Sequence, residues 1–209
     1  MSSSKEKEKM KVDLCRILHK IGAFEFGTFK LTSGKTSPYY IDLRIIPSFP
    51  DAFSRICDLF VKLIETDQKI MNFKRIAGIP LAGLPFGSLV SYRLKKPFVY
   101  IRPHIKLHGR QRQIEGIVMP GDRVLLIDDL ITTGKSIGKA VAAVRTEGGV
   151  VDDAVVLLDR EEGGKERLAK DNVSLHYLMK ASEAADKLYE IGAISEDQLQ
   201  IILEQAKTS

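Results

Sequence analysis

The sequence predicts an α/β protein built on a central, mostly parallel β-sheet with flanking helices. From about residue 75 onward, short apolar runs alternate with amphipathic segments of helix length, which is typical of parallel strands joined by right-handed crossovers. One run, residues 123–128, is almost continuously apolar and bounded by turn residues, as expected for a strand buried on both faces. The 209 residues, 44% of them hydrophobic, suffice for a complete core, and we predict a single domain over residues 1–209.

The N-terminal part predicts two helices around one short strand. Residues 1–10 are rich in Ser, Lys and Glu and predict a flexible, solvated tail. Apolar residues at helical spacing predict amphipathic helices at 12–22 and 50–65. Between them, residues 29–44 contain turn residues followed by the β-prone run Tyr39-Tyr40-Ile41, which predicts a strand.

The C-terminal part contains the alternating elements. Strands are predicted at residues 75–79, 98–102, 123–128 and 151–158, and helices at 84–94, 136–147 and 182–205. Gly148 and Gly149 close the second of these helices, because glycine readily adopts the left-handed conformation that ends a helix.

Composition and charge bound the partners and the location. Lys and Arg exceed Asp and Glu by five, but the local basic concentration at residues 93–112 fits a small polyanion as well as nucleic acid, so we expect no nucleic-acid partner. No apolar stretch approaches the ~18 residues that span a bilayer, and the first residues lack the apolar core of a secretory signal. We therefore expect no membrane association and a cytoplasmic location. Cys15 and Cys57 lie among apolar residues and are interpreted as small buried side chains.

The strongest chemical signal is the segment VLLIDDLITTGKS at residues 124–136. An apolar strand ends in Asp128 and Asp129, and a loop of small polar residues opens the next helix. Amides and hydroxyls of such a loop bind phosphate, whereas the two acids suit hydroxyl groups or a divalent cation. The segment predicts a sugar-phosphate site at the carboxyl end of the sheet. The alternative is a purely structural strand–turn–helix, in which unpartnered adjacent acids would be costly.

This segment resembles the motif of type I phosphoribosyltransferases that binds phosphoribosyl pyrophosphate (PRPP). The resemblance implies a corresponding fold and a PRPP site. That site would comprise Arg102, Asp128, Asp129, Leu130, Ile131, Thr132, Thr133, Gly134, Lys135 and Ser136. The motif says little about which base accepts the ribosyl group.

Three further segments resemble orotate phosphoribosyltransferases. Residues 29–44 (FKLTSGKTSPYYIDLR) resemble the N-terminal signature, residues 101–116 (IRPHIKLHGRQRQIEG) the mobile catalytic loop, and residues 155–168 (VVLLDREEGGKERL) the segment with an orotate-binding arginine. The resemblance implies a small hood region at 11–50 and a mobile loop at 102–116. It further implies an orotate site formed by Tyr40, Ile41, Thr132 and Arg160, with Lys106, His108 and Asp129 as catalytic residues.

Charge chemistry agrees with this assignment. Orotate carries a carboxylate, which the planar donors of arginine bind better than lysine, and Arg160 directly follows a predicted strand. The alternative is a surface arginine paired with Glu161 or Glu162. The basic segment after Arg102 suits a loop that closes over a polyanion, although an ordinary solvated basic loop has a similar composition.

Three positions depart from the pattern of bacterial family members. Thr32 and Ala82 stand where many of them carry lysine, and Pro103 stands where a second basic residue usually follows Arg102. The proline removes a cation that would face pyrophosphate and stiffens the entry to the loop. Loop dynamics and PRPP affinity therefore do not follow from the resemblance.

The resemblance also implies cofactor and partners. Mg²⁺ would arrive bound to PRPP, and no residue of this chain is assigned as its direct ligand. A homodimer would share the catalytic loop between its subunits. A decarboxylase acting on the product would be a separate protein. Two alternatives stay open: a phosphoribosyltransferase for another base, such as a purine, and a transcriptional regulator that senses PRPP.

Overall fold

The computed structural model of the protein describes residues 3–30, 36–70, 72–102 and 113–208. The first helix, α1, spans Ser3–Lys20, so the prediction of a flexible tail is wrong for residues 3–10. Met10 is buried, and Glu8 pairs with Lys187 at 2.8 Å. Lys and Glu favour helix, and the partners that hold this end of the helix lie far away in sequence.

A small N-terminal unit follows α1. Strand β1 (Phe24–Lys30) pairs with β2 (Thr36–Ile41) in an antiparallel two-stranded sheet, and a 3₁₀ helix over Leu43–Ser48 leads into α2 (Pro50–Thr66). The predicted strand at Tyr39–Ile41 and the helix at 50–65 are confirmed, whereas β1 was not predicted.

Seven strands of the described residues form the central sheet. They are β3 (Arg75–Gly78), β4 (Phe98–Ile101), β5 (Ile114–Glu115), β6 (Val124–Ile127), β7 (Leu130–Ile131), β8 (Asp153–Asp159) and β9 (Ser174–Lys180). The order runs β5-β4-β3-β6-β8, with β7 and β9 also paired to β8, and the pairings are parallel except for β4 with β5. The predicted mostly parallel sheet is confirmed.

Five further helices complete the described part of the chain. They are α3 (Gly83–Arg93), α4 (Lys135–Thr146), α5 (Gly164–Lys170), α6 (Ala181–Glu190) and α7 (Glu196–Thr208). Residues 182–205, predicted to be helical, form two helices, because Gly192 adopts φ +69° and ends α6. Strand β9 and the short helix α5 were not predicted.

The sheet is buried on both faces, and alternate residues of one strand serve different layers. Leu125 and Ile127 of β6 belong to the core that contains α2 and α3, whereas Leu126 belongs to the core with α4. Such alternation follows from the two-residue period of a strand. Because the central strands are parallel, the segments that follow β3, β6 and β8 emerge at one edge of the sheet. Among the described residues, no helix combines the length and apolar character needed to cross a bilayer.

Candidate active site

A cleft of about 510 Å³ opens at this edge, between the central sheet and the N-terminal unit. Three segments line it: the turn after β3, the long segment after β6, and the turn after β8, with β2 and its continuation on the remaining wall. The lining residues are Lys30, Tyr40, Ile41, Asp42, Arg44, Pro80, Leu81, Ala82, Asp128, Asp129, Leu130, Ile131, Thr132, Thr133, Gly134, Lys135, Ser136, Ile137, Arg160 and Glu162. The structure thus brings Asp128 to Ser136 together with Tyr40, Ile41 and Arg160, as the sequence predicts.

We call Asp128, Asp129 and residues 132–136 the loop side of the cleft. Gly134 caps the start of α4 with φ +73°, a conformation that suits glycine. The peptide groups of the loop therefore meet the N-terminal end of α4, where unpaired amides and the helix dipole favour a bound anion. The hydroxyls of Thr132, Thr133 and Ser136 add donors.

The two acids of the loop side are buried where β6 breaks off and β7 begins. Asp128 is 8% exposed and Asp129 is 7% exposed, and each accepts a hydrogen bond from the next amide, at 3.0 and 2.8 Å. Burial, followed by the neighbouring charge of Asp129, raises the pKa of Asp128 well above its usual value. Burial also raises the pKa of Asp129, which the Leu130 amide and the charge of Arg44 offset only in part. Such carboxylates are stabilised by ligands that donate hydrogen bonds, such as a sugar diol.

We call Tyr40, Ile41, Arg160 and Glu162 the arginine side of the cleft. The Arg160 amide donates to the Ile131 carbonyl at 2.9 Å, which places this residue beside the loop. Its side chain is 2% exposed and lies over the Tyr39 ring at 4.9 Å. Its Nε lies 3.0 Å from Glu162 Oε1, but the alignment is not that of a hydrogen bond. The alternative of a surface arginine is therefore wrong, although the pairing with Glu162 exists.

Three unpaired polar atoms are buried at this side. Within the described residues, Nε and Nη2 of Arg160 and Oε1 of Glu162 have no hydrogen-bond partner. Buried donors without partners are costly in a free protein. A guanidinium with unused donors facing a cleft is suited to bind a carboxylate.

Among the cleft residues that the sequence analysis missed are three charged residues of the N-terminal unit. Lys30, Asp42 and Arg44 line the cleft, and Arg44 binds Asp42 through Nε at 2.7 Å and the Tyr40 hydroxyl through Nη2 at 2.7 Å. The alternation of charged and apolar residues in Tyr40-Ile41-Asp42-Leu43-Arg44 is the signal that predicts these side chains on one face.

The turn between β3 and α3 contributes backbone but no cation. Pro80, Leu81 and Ala82 line the cleft there. A Cβ added at Gly83 would overlap the Ile127 carbonyl oxygen and lie 3.0 Å from the Cα atom of Asp128. This glycine therefore lets the turn approach the acids closely.

The predicted loop residues are placed less completely. Arg102 follows β4 and pairs with Glu115 at 2.5 Å, and it is absent from the cleft lining as far as the described residues define it. Lys106 and His108 lie outside the described residues, as do Thr32 and Pro103. Arg102 and Glu115 join the two ends of the intervening segment.

Comparisons with known proteins identify the family. A model of the phosphoribosyl transferase domain matches residues 48–184. Orotate phosphoribosyltransferase of Staphylothermus marinus is 46% identical over 163 residues, which are 78% of this chain and 77% of the relative. This chain belongs to the orotate phosphoribosyltransferase family.

Solved structures agree with this family. Orotate phosphoribosyltransferase from Aeropyrum pernix superposes with a TM-score of 0.74 at 34% identity, covering 86% of this chain and 99% of that one. UMP synthase of Leishmania donovani superposes with a TM-score of 0.84 at 31% identity, over 95% of this chain. This chain spans only 42% of the latter protein, so this family member matches one part of a longer enzyme.

Proposed function

We propose that the cleft transfers the 5-phosphoribosyl group of PRPP to orotate, giving orotidine 5′-phosphate and pyrophosphate in pyrimidine biosynthesis. One juxtaposition carries this proposal. A phosphate-binding loop and two buried acids adjoin a buried arginine whose Nε and Nη2 have no partner within the described residues. A purine without a carboxylate would leave that arginine unsatisfied.

The loop side is assigned to the phosphosugar. The amides and hydroxyls of residues 132–136 bind the 5-phosphate, with Leu130 and Ile131 shaping the approach, and Lys135 adds positive charge. Asp128 and Asp129 accept hydrogen bonds from the ribose hydroxyls. These bonds stabilise carboxylates that burial alone would tend to protonate.

The same acids assist the breaking bond. As the bond from C1 to pyrophosphate lengthens, positive charge develops on the sugar ring, as in glycoside cleavage. Asp129, which is assigned to the sugar hydroxyls, would stabilise that charge through its carboxylate. Carboxylates already fixed by backbone amides need little reorganisation during the reaction.

The residues at the leaving group must offset negative charge. Arg102, Lys106 and His108 are assigned to this task, and Arg102 must exchange Glu115 for pyrophosphate to take part. Mg²⁺ on the phosphates of PRPP would neutralise part of the same charge. Asp128 and Asp129 fit such an ion, because Mg²⁺ in proteins is typically held by one or two carboxylates together with substrate phosphates.

The arginine side is assigned to orotate. Arg160 binds the carboxylate, the backbone of Tyr40 and Ile41 faces the ring, and Thr132 lies where the two substrates meet. Orotate is already anionic and attacks through a ring nitrogen, so catalysis relies mainly on positioning rather than on a strong general base.

The assembly and location follow from the same proposal. We expect a cytoplasmic homodimer in which each catalytic loop reaches the neighbouring site, and no nucleic-acid partner. Sedimentation of the active enzyme tests the first point: a fully active monomer at low concentration would contradict the shared loop.

Orotate consumption provides the direct test. The ultraviolet absorbance of orotate is followed with PRPP and Mg²⁺ together and with either one omitted. In a parallel reaction hypoxanthine replaces orotate, and its own absorbance is followed. The expected result is turnover only with orotate, PRPP and Mg²⁺ present. Turnover of hypoxanthine without orotate turnover would assign the cleft to a purine.

A further inference from the structure

The turn that follows β8 has an unusual backbone. Glu161 adopts φ +61°, a left-handed conformation that non-glycine residues rarely occupy. Arg160 before it and Glu162 after it both line the cleft, whereas Glu161 extends toward β9 and α6. Strained backbone beside a site persists only when the surrounding contacts determine it, so the contacts of Glu161 contribute to the path of the chain directly after Arg160.

Three contacts hold this turn. The Glu161 amide donates to Asp159 Oδ1 at 2.9 Å, Glu161 Oε2 accepts from the Ser182 amide at 3.1 Å, and Oε1 lies 3.1 Å from Lys180 Nζ. Ser182 is in the first turn of α6, where amides are unpaired within the helix and favour a carboxylate. Burial alone would raise the pKa of Glu161, but the bonds from Ser182 and Lys180 outweigh it and lower the pKa.

The side chain of Arg160 needs such an external restraint. It is 2% exposed, and two of its three nitrogens have no hydrogen-bond partner within the described residues. Its contacts with Tyr39 and Glu162 are a cation–π contact and a poorly aligned ion pair. These contacts do not compensate fully for removing the guanidinium from water, so a less constrained turn would let it move away from the cleft.

We propose that Glu161 is a positioning residue that anchors the turn to β9 and α6 and thereby holds Arg160 ready for the carboxylate of the acceptor base. The inference rests on the proposed function, since it assigns that carboxylate to Arg160. Among the described residues, the cleft lining includes Arg160 and Glu162 but not Glu161. The effect of Glu161 is confined to the arginine side of the cleft.

The test compares Glu161→Ala, Glu161→Gln and Glu161→Gly with the wild-type enzyme. For each, KM for orotate, KM for PRPP, kcat and the unfolding temperature are measured, and orotate binding is followed by calorimetry. Alanine should raise the KM for orotate about tenfold, which is about 1.4 kcal/mol, while the KM for PRPP stays within twofold. Glutamine keeps an acceptor for the Ser182 amide and should recover part of the loss.

The glycine variant separates the anchor from the backbone. Glycine adopts the left-handed conformation freely but has no carboxylate, so it should remain impaired for orotate. Recovery of the wild-type KM by Glu161→Gly would show that only backbone conformation matters and would overturn the proposal. Equal rises in both KM values would overturn it as well.

A matched control lies at the start of the same helix. Glu183 accepts from the Lys180 amide at 2.9 Å and pairs with Lys11 at 2.8 Å, so Glu183→Gln weakens the start of α6 while the Ser182 amide and Lys180 Nζ keep their bonds to Glu161. Glu183→Gln should lower the unfolding temperature and leave the KM for orotate unchanged. If it raised the KM for orotate as much as Glu161→Gln does, Glu161 would have no specific role in anchoring the turn. The wild-type enzyme tests the proposed function separately. If it does not turn over orotate, the proposed function is wrong. If it turns over orotate and the Glu161 variants have the wild-type KM for orotate, the anchoring role of Glu161 is wrong.

Discussion

The loop side and the arginine side of the cleft offer an anion different kinds of hydrogen-bond donor. On the loop side, a single continuous segment from Asp128 to Ser136 supplies amides, hydroxyls and carboxylates. On the arginine side, β2, the turn after β8 and the start of α6 must come together before Arg160 is in place. Backbone donors of a short loop are set by local conformation, whereas a buried side chain depends on remote contacts.

This difference predicts how each side responds to substitution. Changes on the loop side should act on PRPP and on the chemical step, because the acids face the sugar. Changes on the arginine side should act mainly on orotate, because the Arg160 guanidinium is buried over the Tyr39 ring and is assigned to the orotate carboxylate. A substitution that changed the KM for PRPP and the KM for orotate equally would contradict this distinction.

The largest effect is expected from Asp129→Asn. Loss of the carboxylate should lower kcat by on the order of 10²–10³, the usual cost of removing a group that stabilises transition-state charge. Since burial raises the pKa of Asp129, its charge destabilises the free protein at neutral pH. The asparagine variant should therefore unfold at a higher temperature without ligand, and this gain should shrink as pH falls through the raised pKa. Steady-state kinetics and calorimetry at several pH values check both outcomes, and a destabilised variant would contradict them.

The next largest effect is expected from Lys106→Ala. This substitution should lower kcat by a factor of about 10² and change orotate binding much less. The residue is assigned to the leaving group, which neither side of the cleft holds. Kinetics combined with orotate titration separate the two effects. An unchanged rate would remove Lys106 from the mechanism.

Arg160→Met should raise the KM for orotate by roughly 30-fold or more, since truncating one partner of a buried charge pair costs about 2–5 kcal/mol. The KM for PRPP should change little. The double variant Arg160→Met with Glu162→Gln is the control, because it removes the carboxylate that the single variant leaves buried without its cation. It should restore the unfolding temperature but not the affinity for orotate.

Gly164→Ala should raise the KM for PRPP, by about tenfold, through the loop side. A Cβ there would overlap the Thr132 carbonyl oxygen and lie 2.6 Å from Ile131 Cγ1, so the loop must shift, and misplacement of this size is costly. Gly138→Ala is the matched control, since its added Cβ meets only ordinary contacts at 3.6 Å or more. Equal behaviour of the two variants in PRPP titrations would argue against close packing as the cause.

The smallest effect concerns His176, which lies away from the cleft between Asp67 and Asp153 at 2.8 Å each. Burial lowers the pKa of His176, but the bonds to Asp153 and Asp67 outweigh it and leave the pKa raised. Its stabilisation should be complete below about pH 6.5 and be lost as pH rises through the folded pKa. His176→Asn should therefore cost about 1 kcal/mol near pH 5.5 and progressively less toward pH 9 in thermal unfolding. Both KM values should stay unchanged, and a pH-independent cost would rule out the ion pairs as its source.

Prediction from sequence succeeded where the pattern was local. The buried strand at 124–127 and the loop before α4 lie where the apolar run and the small residues place them, and Asp128 lies in the cleft for the same reason. It failed where distant contacts decide. The helix at residues 3–10 is held by Lys62 and Lys187. The alternation over residues 40–44 places Arg44 on one face of the segment, but it does not show that this face lines the cleft.

Strand period, turn residues and charge are properties of neighbouring residues, so the parallel α/β architecture, the loop proposed to bind phosphate and the charged groups of the cleft can be predicted from the sequence alone. Only the tertiary structure decided that Arg160 is buried over Tyr39, that its Nε and Nη2 lack partners within the described residues, and that Glu161 is tied to α6. These features depend on the packing of β2, β8 and α6. Burial and pairing arise between segments far apart in the chain, so they are fixed only when the chain folds.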